Sequence, residues 1–242
     1  MPQAELELHD VTIRFGGITA VNKVSMTIGT HDLVGLVGPN GAGKTTLFNA
    51  ISGLVRPTQG TIRFDGEDVL KASLHKRARL GLGRTFQVPQ PMHELTVREN
   101  LIVAQRFGSG RVDAARIDEI LAFVGLDGKA QRNAATELAL TELKALEVGK
   151  ALATHPKLLL LDEVLGGLET ASKRRFMQML RDVHERYQVG ILIIEHDIET
   201  VMNLCRRVCV LNFGELIADG PPADVFRDPA VVKSYTGEVV GA

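Results

Sequence analysis

Eight consecutive residues, Gly38-Pro39-Asn40-Gly41-Ala42-Gly43-Lys44-Thr45, carry the pattern G-x-x-x-x-G-K-[ST]. That spacing suits one chemical task, the holding of a polyphosphate. The glycines let the backbone close around the phosphates, so that successive N–H groups and the positive end of a following helix dipole point at the anion. Lys44 adds a point charge and Thr45 offers a hydroxyl to Mg²⁺, while Thr46 is counted with the loop as a nucleotide-binding residue. The expected ligand is a nucleoside triphosphate. Leu33 to Val37 before the loop reads as a short buried strand and Lys44 to Ile51 after it as a helix start, which is the context the pattern requires. A glycine-rich turn with an incidental lysine is the competing reading.

Further residues earn notice only beside that loop. Leu158-Leu159-Leu160-Leu161-Asp162-Glu163 reads as a buried strand ending in two acids, and buried strands often end in a solvated carboxylate. After a phosphate loop, however, Asp162 stands where a Mg²⁺-organising carboxylate belongs and Glu163 where a carboxylate can polarise an attacking water. His196 follows the apolar run Ile191 to Ile194, at the sheet edge expected to carry the loop. It reads either as a solvated histidine or as a γ-phosphate contact. Gln87, after Gly83-Arg84-Thr85-Phe86, is either a surface amide or a sensor of Mg²⁺ at a seam between subdomains. Phe15, before Gly16-Gly17, either stacks on adenine or faces the core, and its spacing does not choose between them.

The elements that must position these groups follow from periodicity. Glu5 to Arg14 and Lys23 to Ile28 alternate polar and apolar residues as half-exposed antiparallel strands do, and Thr61 to Val69 reads as a hairpin turning at Asp65-Gly66. Leu158 to Asp162 and Ile191 to Glu195 are continuous apolar runs adjoining helical segments, Arg174 to Arg186 and Asp197 to Leu204, and predict strands of a buried, largely parallel sheet. Leu95 to Arg106, Arg116 to Val124 and Glu142 to Ala153 show three- and four-residue apolar spacing. The division expected is a nucleotide-binding core of residues 1–87 and 156–242 with a helical subdomain, 88–155, inserted into it.

Bulk properties narrow the partners. In 242 residues, 28 Lys and Arg nearly balance 29 Asp and Glu, so there is no basic field of the kind that holds nucleic acid or an anionic membrane. The absence of tryptophan and an aromatic content of 5% argue against a base-stacking surface. No apolar run approaches the roughly 20 residues that span a bilayer, and the acidic N-terminus lacks a signal-peptide pattern, so the expectation is a soluble, cytoplasmic chain. Cys205 and Cys209 read as buried small hydrophobes rather than a metal pair.

With the phosphate loop, Gln87, a signature region, Asp162-Glu163 and His196 in this order, the chain resembles the ATP-binding subunit of an ABC transporter over essentially its whole length. The resemblance implies an α/β P-loop fold with a RecA-like core, N-terminal antiparallel strands and an inserted helical subdomain. It implies ATP and Mg²⁺ as cofactors, a second ATP-binding subunit closing head to tail on the first, two membrane-spanning permease subunits, and indirectly a solute-binding protein. The chain would then lie peripherally on the inner face of the cell membrane. By the same resemblance Phe15 lies on adenine, Lys44 on the phosphates, Thr45, Gln87 and Asp162 around Mg²⁺, Glu163 is the base and His196 contacts the γ-phosphate. Arg14-Phe15-Gly16-Gly17, Ile194 to Glu199 and Asp228 to Glu238 look most like importers of branched-chain amino acids, or of related solutes such as amides, urea or aromatic acids.

The sequence also departs from the family. Leu138-Ala139-Leu140-Thr141-Glu142 stands where the family signature usually reads Leu-Ser-Gly-Gly-Gln. Thr141 would restore a hydroxyl near a nucleotide bound across the dimer, whereas Glu142 would repel that nucleotide unless turned away or paired. Val164 replaces the proline usually found after the glutamate, and Gly166-Gly167-Leu168-Glu169 differs from the usual Ser-Ala-Leu-Asp. Two alternatives to a transport motor stand beside it: a nucleotide-gated module that scarcely hydrolyses ATP, which Leu138 to Glu142 motivates, and a soluble ABC ATPase acting on ribosomes or DNA.

Overall fold

In the computed structural model, which describes residues 4–236, the elements in chain order are β1 (Ala4–Phe15), β2 (Ile18–Gly29), β3 (Leu33–Val37), α1 (Lys44–Ser52), β4 (Gln59–Phe64), β5 (Glu67–Asp68), α2 (Leu74–Leu80), β6 (Leu82–Arg84), α3 (Val97–Gly108), α4 (Ala114–Phe123), α5 (Leu140–Ala153), β7 (Leu158–Asp162), α6 (Thr170–Tyr187), β8 (Gly190–Ile194), α7 (Ile198–Leu204), β9 (Arg207–Asn212), β10 (Glu215–Gly220), α8 (Pro222–Val225) and α9 (Pro229–Thr236). Two units take shape from them. One comprises the chain up to Leu74 together with the chain from Gly190; the other runs from His75 to Val189.

The first unit holds an antiparallel sheet in the order β2-β1-β4-β5. Alternation decides its faces: Leu6, Leu8, Val11 and Ile13 of β1 are all buried, and the register shift between Leu8 and Val11 is a bulge that keeps both halves of the strand facing the same core. The hairpin expected at Asp65-Gly66 is present, with φ of 49° and 78° at the two residues, the double positive φ of a tight primed turn. Its second strand is only Glu67–Asp68. In the same unit β3 pairs in parallel with β8, from Leu33↔Ile191 to Leu36↔Ile194, and with β9, from Val34↔Arg207 to Val37↔Val210. Antiparallel β10 closes the far side of β9. Every residue of β3 is buried, as a strand flanked by two neighbours and covered on both faces requires, and every residue of β8 is buried too. Cys209 of β9 and Cys205 after α7 are buried and unpaired; burial raises both thiols, Cys205 to about 12. They serve as small core hydrophobes.

The second unit pairs β6 with β7 in parallel, from Leu82↔Leu158 to Arg84↔Leu160, and packs α3, α4 and α5 around Leu101, Ile117, Ile120, Leu121, Leu146 and Leu152, each at most 1% exposed. Burying one such side chain stabilises by roughly 1.5–3 kcal/mol. The expected start of α3 at Leu95 moves to Val97, because Thr96 caps the helix: its hydroxyl accepts from Glu99 N–H at 3.2 Å, and Glu99 accepts from Thr96 N–H at 2.8 Å. That is a reciprocal capping box. The stretch 88–155 lies within this unit, which also includes β6, β7 and α6.

Candidate nucleotide site

The loop between β3 and α1 is shaped by contacts that only glycine tolerates at two positions. Gly38, at φ +142°, would place a Cβ 2.0 Å from Leu211 O, and Gly43, at φ +100°, would place one 2.3 Å from Ala20 O. A side chain at either would force the loop off its neighbours. Gly43 caps α1 with no side-chain hydrogen bond, so the first N–H groups of the helix are presented to a ligand rather than to a capping oxygen. Asn40, Gly41 and Thr45 are exposed, Pro39, Gly43 and Thr46 half-buried, and Ala42 and Lys44 buried. Lys44 is therefore not the surface charge that a phosphate ligand would suggest. Its Nζ donates to Gly38 O at 2.7 Å and Pro39 O at 2.9 Å, which folds the ammonium into the loop's own carbonyls.

His196 and Phe15 share this unit. Because Leu36 and Ile194 are paired partners on parallel strands, Gly38 and His196 each lie two residues beyond the same rung, at the same carboxyl edge. His196 is exposed there. Phe15 ends β1 and is 51% exposed, so the core-facing reading is excluded and an open aromatic face remains. No local spacing announces α9. Gly38 N–H approaches the Tyr235 hydroxyl, a contact that partly offsets the upward push of burial on that phenol. Ala230 and Lys233 of α9, with Phe213 and Ile217, border a cavity of about 520 Å³ on the Pro39–Ala42 side of the loop. The C-terminal stretch Asp228 to Glu238 thus has a structural role in α9, although Gly237 and Glu238 lie outside the described residues.

In the second unit the register does similar work. Arg84 pairs with Leu160, so Gln87 and Glu163 each lie three residues past one rung, and Gln87 Nε2 donates to Glu163 Oε2 at 2.6 Å. Asp162 is buried, with Arg84 Nη2 at 3.5 Å from Oδ2, and its N–H donates to Thr85 Oγ1 at 3.3 Å. Burial lowers the Arg84 pKa and Asp162 partly restores it. Glu163 has φ +49°, a left-handed conformation that costs a non-glycine residue about 1–3 kcal/mol and persists only where the surroundings impose it. In sequence Arg84 is only a neighbour of Gln87, because no local pattern tells which acid it will meet.

The divergent signature forms the start of α5. Ala139 is the cap residue and has no side-chain oxygen to offer, so only the return half of a capping box exists: Ala139 N–H donates to Glu142 Oε2 at 3.0 Å. Glu142 is also paired with Lys129, 2.6 Å away; that contact, with the Ala139 bond, lowers its pKa. The repulsion expected of Glu142 is thereby answered, since its charge is already committed. Thr141 is the second helical residue and is half-buried.

A phosphate loop opening a helix from a parallel strand, with an acid pair at the end of another parallel strand, defines a P-loop nucleotide-binding protein. The comparisons place it more closely. Residues 21–166 match the ABC transporter family model, and residues 215–240 match that of the branched-chain amino acid ATP-binding cassette transporter. The high-affinity branched-chain amino acid transport ATP-binding protein BraF of Pseudomonas aeruginosa is 37% identical, covering 98% of this chain and 100% of its own. The corresponding LivG protein of Escherichia coli K12 is 34% identical over the same shares. A crystal structure of an ABC transporter ATP-binding cassette in its ADP conformation superposes with a TM-score of 0.87 at 29% identity, covering 98% and 100%. The chain belongs to the ATP-binding subunits of ABC transporters, and it is an ATPase of that class with the α/β fold of the family. Among the described residues, no helix is long and apolar enough to cross a membrane.

Proposed function

We propose that this subunit powers uptake of branched-chain amino acids, or of related small solutes such as amides, urea or aromatic acids, working on the inner face of the membrane with two permease subunits, a second ATP-binding subunit and, indirectly, a solute-binding protein. The full-length likeness to the two importer subunits carries this reading. Phe15 stacks on adenine; Gly38 to Thr46 surround the phosphates; Glu163 accepts the proton of the attacking water; His196 contacts the γ-phosphate. Thr45, Gln87 and Asp162 are assigned to Mg²⁺. The donor chemistry fits, since a hydroxyl, an amide oxygen and a buried carboxylate are hard oxygen ligands. When bound, Mg²⁺ neutralises charge on the β- and γ-phosphate oxygens. Gln87, held by its Nε2 against Glu163, keeps its amide oxygen for such a ligand. Hydrolysis is then mostly positioning, with water attacking in line.

Two experiments test this reading. Thr141→Arg should abolish cooperative hydrolysis and spare ATP binding to the single subunit, because the start of α5 is assigned to the nucleotide of the partner subunit; phosphate release and calorimetry measure the two. Loss of binding by the lone subunit would place Thr141 elsewhere, and full activity would make Leu138 to Glu142 an ordinary helix start.

The loop after Gln87 is assigned to the permease. Pro89, Pro91 and Met92 are half-buried in a segment without regular structure, and Leu95 is half-buried as well, whereas Val97 is fully buried in α3, so Val97 packs into the helical block and is not open to a partner. Site-directed crosslinking from Met92, in cells co-expressing the neighbouring membrane proteins, should give adducts to those proteins. Adducts to ribosomal protein or DNA, with none to a membrane chain, would favour the soluble alternative.

A further inference from the structure

Beyond Glu142, the signature helix carries Lys144, Glu147 and Lys150 at a spacing of three, which sets them along one face. Lys144 and Glu147 are each only 5% exposed, and buried charges of this kind persist only when they are paired. Their partners lie in two loops. Lys144 Nζ donates to Glu163 O at 3.2 Å and to Gly166 O at 2.5 Å, straddling a turn that Gly166 N–H closes onto Glu163 O at 3.2 Å. Glu147 Oε1 accepts from Gln90 N–H at 2.8 Å, Lys150 Nζ donates to Gln90 O at 2.6 Å, and Glu147 and Lys150 pair at 2.6 Å. Both polar groups of the Gln90 peptide backbone are thus held by α5. Gln87, three residues earlier, closes the circuit on the Glu163 carboxylate.

We propose that this face of α5 positions the hydrolytic groups: Lys144 holds the left-handed backbone of Glu163 from beneath, while Glu147 and Lys150 fix the loop from which Gln87 reaches the same carboxylate. A signature helix whose N-terminus has lost its serine and both glycines retains, one turn further on, the contacts that aim the base. Lys144 is a positioning residue, since it meets the backbone of Glu163 and not a reacting atom. The inference rests on Glu163 acting as the base.

The test compares Lys144→Met and Lys144→Arg in the parent chain and in the Glu163→Gln background, using the full chain copurified with its co-expressed membrane subunits. Lys144→Met should lower kcat about 10²-fold, the scale expected when a catalytic group is misplaced by about an ångström, with ATP affinity unchanged. Lys144→Arg, which keeps donors for both carbonyls, should recover part of the rate. In the Glu163→Gln background Lys144→Met should cause no further loss, because two residues acting through one step are not additive. Equal slowing in both backgrounds, or no slowing in the parent, overturns the proposal; a Glu163→Gln chain as fast as the parent instead overturns the base assignment. Hydrogen exchange at the Gly166 amide supplies a readout that needs no turnover: it should quicken in Lys144→Met and return in Lys144→Arg, and unchanged exchange counts against the clasp. If Lys144→Met does not accumulate as folded protein, Lys150→Met, which releases the Gln90 carbonyl and removes the ion-pair partner of Glu147, should give the same background-dependent slowing; slowing alike in both backgrounds overturns it.

Discussion

Glu163→Gln is expected to bind ATP as the parent chain does and to hydrolyse it about 10²–10⁴-fold more slowly, the range a positioned general base contributes. The substitution is nearly isosteric and keeps the local geometry. Gln87 Nε2 donates to Glu163 Oε2 at 2.6 Å, and an amide oxygen at that position accepts the same bond, while Lys144 holds the backbone carbonyl and not the side chain. Only the ability to take a proton from water is lost. ATP, no longer consumed, should accumulate the closed dimer of ATP-binding subunits. Sizing with Mg-ATP and a phosphate-release assay read the two effects. A variant that stays monomeric and turns over at the parental rate would remove Glu163 from the role of base.

Lys44 should govern affinity instead. Lys44→Met is expected to weaken ATP binding about 10- to 150-fold, the equivalent of the roughly 1.5–3 kcal/mol that a hydrogen bond to a charged group contributes. Calorimetry with ATP is the measurement, and unchanged affinity would reject the phosphate assignment. Methionine is the better probe than alanine because Lys44 is buried, 6% exposed, with its ammonium on the carbonyls of Gly38 and Pro39. Lys44→Ala should lose affinity too, but would also leave a gap inside the loop and free the two carbonyls that the ammonium now restrains. A larger loss in the alanine variant than in the methionine one would measure that restraint. The contrast separates charge on the ligand from shape of the loop, which Lys44 serves together.

Much of the frame was legible in the chain because it depends on local pattern. Short continuous apolar runs mark β3, β7 and β8, since a strand covered on both faces has no polar side to display. The phosphate loop is equally local: its strained glycines, its lysine and the helix that follows occupy one unbroken stretch. Thr96 and Glu99 already spelled the cap that starts α3, and the helix obeyed that cap rather than the apolar period beginning at Leu95.

What the pattern did not reach are contacts whose partners are distant in the chain. Arg84 meets Asp162, and Gln87 meets Glu163 across 76 positions, because parallel pairing of β6 and β7 brings two strand ends to one level. The side on which Phe15 stands was open by spacing and settled by the exposed hairpin end. The effect of the Glu142 charge depends on Lys129, thirteen positions earlier, which pairs with it. By itself the sequence determined that the chain binds a nucleoside triphosphate and which class of machine it serves, because a loop built from consecutive residues carries its own geometry. Only the tertiary structure decided how Lys144, Glu147 and Lys150 hold the loops of Glu163 and Gln87. Buried charges choose partners by the packing around them, and that choice leaves no local spacing to read.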